Sequence, residues 1–372
     1  MKENRSLYCY YHKNKYCLHT VITRVLIRMC NHSSCVQWNL MISTGSHLST
    51  SDEKIMNEIY FWADGVFGSI IAIIGLVMNS LAIYILSTKE ELSHITTEIL
   101  CKLLVSENIY LLLKLIKIFY FDFHFKSLAI VIPYFVYPVE NICLTMSVFL
   151  MICLAHQGYV MTMDLEKYER ASACKTSRKR RIVRYMIPVI VSSVIINIPR
   201  FFCYKLISLE GNIYEIEKTE LRRNFHYVVF YDNFICNILT VFTPINLILF
   251  FNWNIYLFVK EKRHEMEEWD MDSNVRNKNK THANILFLIL ILFAICHFPR
   301  CFLKFYEVFY EPFWIKIFAT IERLLLMIHF SLNSFIYMIK NETFRNHFRS
   351  ILKNSVSLFA SKSRKMSTNT FM

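Results

Sequence analysis

The sequence predicts an all-α membrane protein: a seven-transmembrane helix bundle followed by an amphipathic eighth helix. Three observations predict it. First, the chain has 372 residues, 54% of them hydrophobic, and its apolar residues fall in seven long runs, at about 63–86, 98–120, 127–160, 182–204, 226–259, 284–305 and 313–339. About 20 apolar residues span a bilayer as a helix. Second, the basic residues are one-sided. With the N-terminus outside, the second inner loop carries Lys167, Arg170, Lys175 and the Arg178–Arg181 run, and the third carries Lys260, Lys262, Arg263 and Arg276. The three outer loops hold about nine Lys/Arg and the N-terminal region seven, so the loop bias favours the cytoplasmic side. Third, Phe344, Phe348, Ile351 and Leu352 recur at helical spacing between basic residues just after the last run. That is an interfacial helix on the inner leaflet.

These boundaries give an extracellular region over 1–58, the bundle over 59–339, the eighth helix over 340–353 and a cytoplasmic tail over 354–372. The net charge of +13 is spent on the inner loops and tail, so nucleic acid is not the expected partner. No HExxH, GxSxG or phosphate-cradling glycine loop occurs, so no enzyme is expected. No repeat relates the two halves, which speaks against a transporter. The polar series Lys102, Glu107, Lys114, Lys117 on the second run is the one feature that favours such a path.

Of the twelve cysteines, Cys101, Cys143, Cys153, Cys236, Cys296 and Cys301 lie inside the runs as small buried residues. Cys9, Cys17, Cys30 and Cys35 lie in the N-terminal region and allow three pairings. No metal-ligand spacing is present. Asn4 and Asn31 begin N-glycosylation triplets.

Within the runs, polar residues are costly and mark function by default. Glu107 sits mid-span. Lys114 and Lys117 are expected to snorkel to the outer interface, and Lys102 to the inner one. Glu140 follows Pro138 near the outer end of the third run. The sixth run, ILFLILILFAICHFPRCFL, places His297 and Arg300 about Pro299, where proline kinks the helix. The seventh carries Glu322-Arg323 in its outer half.

These features, with an outside N-terminus, resemble a rhodopsin-like G-protein-coupled receptor over roughly 62–353. Asn79 matches the first-helix asparagine, Glu107 the second-helix aspartate, and Pro244 the fifth-helix proline. Phe293–Pro299 resembles FxxCWxP with His297 for tryptophan, Asn333–Tyr337 resembles NPxxY, and Phe344-Arg345 resembles the start of the eighth helix. TMSVF at Thr145–Phe149 and NIPRFF at Asn197–Phe202 look like strings of the invertebrate FMRFamide-type neuropeptide receptors. The departures are specific. Gln157-Gly158-Tyr159 stands for the acidic-Arg-Tyr of the third helix, and Pro133 lies about where a cysteine should be. No cysteine occurs between Tyr204 and Tyr227, so the family's outer disulfide cannot form.

The resemblance implies that a peptide or small extracellular ligand enters between the helices, where Glu140, His297, Arg300 and Arg323 should face it. Glu140 and Arg323 are expected to pair, because unpaired charges there are costly. Glu107, Ser147 and Asn333 should converge at mid-membrane, where the family holds a sodium ion. Glutamate's extra length lets a direct hydrogen bond or a proton take the ion's place. The sixth helix would swing about Pro299 and open a cleft beside Gln157, Gly158, Tyr159 and Tyr337 to a heterotrimeric G protein. The Ser/Thr-rich tail would meet arrestin once phosphorylated. A receptor-shaped chemosensor or decoy that does not couple is the alternative that Gly158 argues for.

Overall fold

The computed structural model describes residues 50–88, 94–164, 168, 170, 172–209, 213–261, 287–300, 303, 313–340, 342, 344–351 and 353. Cys9, Cys17, Cys30, Cys35, Asn4 and Asn31, the third inner loop and the tail lie outside the described residues. Among the described residues seven helices form the bundle. They are α1 (Lys54–Thr88), α2 (Ile95–Phe121), α3 (Ile132–Met163), α4 (Lys175–Phe202), α5 (Tyr227–Phe258), α6 (Phe287–Arg300) and α7 (Phe313–Lys340). Residues 344–351 form α8. Between α4 and α5 an antiparallel hairpin pairs β1 (Tyr204–Leu209) with β2 (Ile213–Lys218).

The bundle is apolar outside as well as inside, because its solvent is lipid. Ile73, Val77, Ile195, Leu249, Phe250 and Trp253 are all exposed on helix surfaces. Lipid tails are as apolar as these side chains, so burial alone does not hold the helices together. Small residues and interhelical hydrogen bonds do. Gly75 of α1 lies so close to α7 that a Cβ there would overlap Ser331 Oγ and stand 2.9 Å from Ser331 Cβ. Nearby, Asn79 Nδ2 donates to Phe330 O at 2.9 Å and Ser331 Oγ to Ile71 O at 3.1 Å. Ser106 of α2 donates to Cys143 O of α3 at 2.9 Å. Asn197 of α4 donates to Thr145 of α3 at 2.9 Å, and Tyr231 of α5 to Ile196 O of α4 at 2.8 Å.

Of three apolar clusters among the described residues, two make up most of the interior. The larger, towards the inner side, joins Leu103, Leu154, Phe293, Tyr337 and Phe344. The smaller, towards the outer side, joins Tyr110, Leu144, Met327 and Phe330. The eighth helix is seated by its apolar stripe: Phe344 is buried, its ring 5.6 Å from that of Tyr337, and Phe348 and Ile351 pack on the larger cluster.

The outer loop before α5 has no disulfide to hold it. Instead the ring of Tyr204 on β1 stacks on that of Tyr137 on α3, centroids 4.5 Å apart. One turn earlier Tyr134 OH accepts a hydrogen bond from Leu206 N at 3.2 Å. Ring stacking and one backbone hydrogen bond thus fix the hairpin over the top of α3.

Candidate functional site

Polar side chains gather at three levels. The outermost is a cavity of about 200 Å³ between the outer ends of α2, α3, α4, α6 and α7, with Tyr204 and Arg222 of the outer loop on its rim. A second cavity of about 620 Å³ lies towards α1 and shares Lys114, Lys117, Tyr137 and Arg323 with the first.

Glu140, Arg300 and Arg323 all line the first cavity, but the expected Glu140–Arg323 pair does not form. Glu140 accepts from Lys117 at 2.8 Å and from Lys114 at 3.5 Å. Arg323 turns to α1 and holds Asp64 Oδ2 through Nε at 2.8 Å and Nη2 at 2.5 Å. The reason is the face each residue occupies. Glu140 looks at α2, where Lys114 and Lys117 stand three apart and so share a helical face, while Arg323 looks at α1. The expectation that the two lysines snorkel outward is overturned by the same contacts: both turn inward, and Lys114 is only 8% exposed. A buried carboxylate must be paired, and the lysine stems are long enough to reach it.

The other side of the cavity repeats the arrangement. Arg200 of α4 and Arg222 of the loop both hold Asp232 of α5, at 2.7 and 2.5 Å. Arg300 stands 3.9 Å from Glu322. Asp64, Arg200, Arg222 and Asp232 escaped the sequence reading. Their signal was present, since each of Asp64, Arg200 and Asp232 interrupts an apolar run (FWADGVF, NIPRFF, YVVFYDNFI).

His297 does not face either cavity, contrary to expectation. It is fully buried, its ring stacked on Phe293 at 4.2 Å and edge-on to His329 at 5.2 Å. Tyr110, which lines the outer cavity, meets Phe330 at 4.7 Å, and Phe330 meets His297 at 6.4 Å. A layer of rings therefore runs from the cavity to the turn of α6 that precedes Pro299.

At mid-membrane the structure brings Glu107, Ser147 and Asn333 together. Glu107 Oε1 accepts from Asn333 Nδ2 at 2.7 Å and from Ser147 Oγ at 3.3 Å. Glu107 Oε2 and Asn333 Oδ1 are buried with no hydrogen-bond partner among the described residues. A buried carboxylate needs a positive charge beside it. These hard oxygens fit either a proton on Glu107 or a sodium ion, and a sodium ion would supply the counter-charge.

At the inner end Gln157 is fully buried and its Nε2 donates to Tyr185 OH of α4 at 2.5 Å. Gly158 is buried beside it, its carbonyl accepting from Thr162 Oγ1 at 2.9 Å. The ring of Tyr159 lies 5.7 Å from that of Phe251 on α5. Tyr337 is buried against α8. Beside Gly158, Gln157, His156 and Tyr185 are hydrogen-bonded among themselves.

Residues 78–337 match the family described as 7 transmembrane receptor (rhodopsin family). The chain belongs to the rhodopsin family of seven-transmembrane receptors. The receptor is therefore a multi-pass protein of the plasma membrane, in a family of receptors rather than enzymes. It is 26% identical over 305 residues to the FMRFamide receptor of Drosophila melanogaster, which covers 78% of this chain and 54% of that protein. The receptor chain thus spans about half the length of the curated relative it matches.

Proposed function

We propose that this receptor binds an extracellular neuropeptide of the FMRFamide type and passes that event to a heterotrimeric G protein. The observation that carries the reading is the outer cavity, whose walls come from α2, α3, α4, α6 and α7 together. A ligand seated there touches several helices at once and can favour one arrangement of them, but only by binding that arrangement more tightly. The similarity to the FMRFamide receptor supports the peptide class.

In this reading Glu140, Arg300 and Arg323 meet the ligand. The ring layer Tyr110–Phe330–His297 carries the change to Pro299, about which α6 swings. Gln157, Gly158, Tyr159 and Tyr337 border the opened inner cleft. Residues 1–58 lie outside the cell, with sugars on Asn4 and Asn31, and residues 354–372 lie inside, where phosphorylation brings arrestin. Glu107 is neutralised by a proton rather than by a sodium ion, a reading that the direct 2.7 Å bond from Asn333 supports.

Gly158 favours a second reading, a receptor that binds without coupling. G-protein recruitment in cells challenged with a library of amidated neuropeptides separates the two, run beside Gly158→Arg. A response from the native chain is the expected result. A response from the arginine variant alone would establish a binding receptor that does not couple.

A further inference from the structure

We infer that the second cavity, the larger of the two, receives the amidated end of the peptide proposed above: Asp122 pairs with a guanidinium there, and the apolar wall beside it covers the terminal aromatic ring. The inference rests on the peptide-receptor reading and adds which end of the peptide goes where.

The walls of this cavity of about 620 Å³ fall into two parts. One is apolar, with Phe61 of α1, Ile118 and Phe121 of α2 and Met327 of α7. The other is charged. Its lysines and arginine already have carboxylates: Lys114 and Lys117 meet Glu140, and Arg323 meets Asp64. Lys117 also lies over the Tyr137 ring at 4.5 Å, and Arg323 over that of Tyr60 at 5.6 Å. Asp122 differs, since its carboxylate makes no ion pair or hydrogen bond among the described residues. It caps the C-terminal end of α2, where the helix dipole adds negative potential. Gly65 of α1 lets it sit there, because a Cβ on Gly65 would stand 3.2 Å from Asp122 Cβ. Asp64 lines the same cavity, and its Oδ1 is buried without a hydrogen-bond partner among the described residues.

A half-buried carboxylate with a second carboxylate nearby is relieved by a cation that also donates hydrogen bonds. A guanidinium carries five N–H donors in a fork, enough for Asp122 and for Asp64 Oδ1 together. It need displace none of the resident pairs. In the first cavity it would have to, because Glu140 and Glu322 there already face Lys114, Lys117 and Arg300. The FMRFamide class matches this wall, since its one-letter name spells Phe-Met-Arg-Phe amide and so ends in a guanidinium, an aromatic ring and a neutral amide. The ring has Phe61, Phe121 and Met327 to cover it. Burial and the Asp64 charge hold the Asp122 carboxyl up at about 6, against Arg323, His124 and Lys114. The other titratable groups on the wall are Lys117, Tyr60 and Tyr137. Asp122 is therefore ionised at pH 7.5 and mostly neutral at pH 5, while arginine keeps its charge at both.

The test uses the full-length receptor in membranes and labelled amidated peptides in pairs that differ only by arginine against citrulline, its uncharged near-isostere, beside the terminal phenylalanine. The arginine member should bind about tenfold more tightly at pH 7.5. That preference should shrink to about twofold at pH 5, as Asp122 takes up a proton. Asp122→Asn removes a charge that the fold disfavours, so the variant folds, and it should bind both members alike at either pH. Equal binding within pairs by the native chain would overturn the inference. So would a preference that Asp122→Asn keeps, or one that Glu140→Gln abolishes instead, which would put the guanidinium in the first cavity. A second arm melts the purified receptor with arginyl-phenylalanine amide and with citrullyl-phenylalanine amide. A rise in Tm with the arginine dipeptide alone, absent in Asp122→Asn, supports the inference even if no library peptide elicits a response, a result that would sink only the peptide-signalling reading. No selective rise would overturn the inference whatever the library shows.

Discussion

Asn333 of α7 donates to Glu107 of α2 at 2.7 Å, with Ser147 of α3 on the same oxygen. One buried carboxylate oxygen therefore joins three helices halfway through the membrane. Removing the carboxylate would leave two donors with nothing to meet in a medium without water, which costs more than the bond itself contributes.

Glu107→Leu should lower the Tm of the purified receptor by the equivalent of about 2–4 kcal/mol, while Glu107→Gln, which keeps an acceptor, should cost less than half of that. With the charge balanced by a proton, ligand affinity should be the same in sodium and in N-methylglucamine buffers. A sodium-dependent affinity that Glu107→Gln abolishes would assign the ion instead.

Gly75→Ala tests the approach of α1 to α7. The new Cβ would overlap Ser331 Oγ and press on Leu111 Cδ1 at 2.8 Å. The expected cost is about 1–3 kcal/mol, read as lost surface expression and lowered Tm. Adding Ser331→Ala removes the overlapping oxygen and should restore part of it. Equal Tm for native and Gly75→Ala chains would show that the helices sit further apart.

Asp64 and Arg323 tie α1 to α7 at the cavity rim, partly exposed at 15% and 30% of their side chains. A double-mutant cycle with Asp64→Asn and Arg323→Gln should give a coupling of about 1 kcal/mol in Tm-derived stability. Glu140→Gln combined with Arg323→Gln should be additive, because those two residues have different partners.

Asp122, just past the outer end of α2, gives a pH signature. Burial pushes its carboxyl up to about 6, and the nearby Asp64 charge pushes the same way, against Arg323, His124 and Lys114. Its folded-state pKa is above the unfolded one, so the ionised form is the one the fold disfavours. The fold is relieved of that penalty below the unfolded pKa and bears it as pH rises through about 6. Asp122→Asn should therefore be more stable than the native chain at pH 7.5, with the gap closing as pH falls below 6. A gap that does not change with pH would remove the charge from the explanation.

The reach of the sequence differs by layer. The mid-membrane cluster was legible because Glu107, Ser147 and Asn333 fall at positions where the resembling family gathers polar side chains, and polar groups buried in lipid must find partners. The outer cavity was half legible. Its acidic and basic members near Pro138, Pro299 and Glu322 stood out, but Glu140 was assigned the wrong partner and Lys114 and Lys117 the wrong direction. The unseen part is the rotation of each helix about its axis, which run length and composition leave open.

The sequence by itself determined that this chain crosses the membrane seven times, with its basic loops on one side and an apolar-striped helix after the last span. Hydropathy and charge are local properties that act through bilayer thickness and the two aqueous faces, and no contact between helices is needed to read them. Only the tertiary structure decided that Lys114 and Lys117 meet Glu140, that Arg323 meets Asp64, that two arginines share Asp232, and that Tyr137 stacks on Tyr204 where a disulfide is missing. Those pairings depend on which faces of packed helices meet, and that is set by close approaches such as Gly75 on Ser331 rather than by any single run.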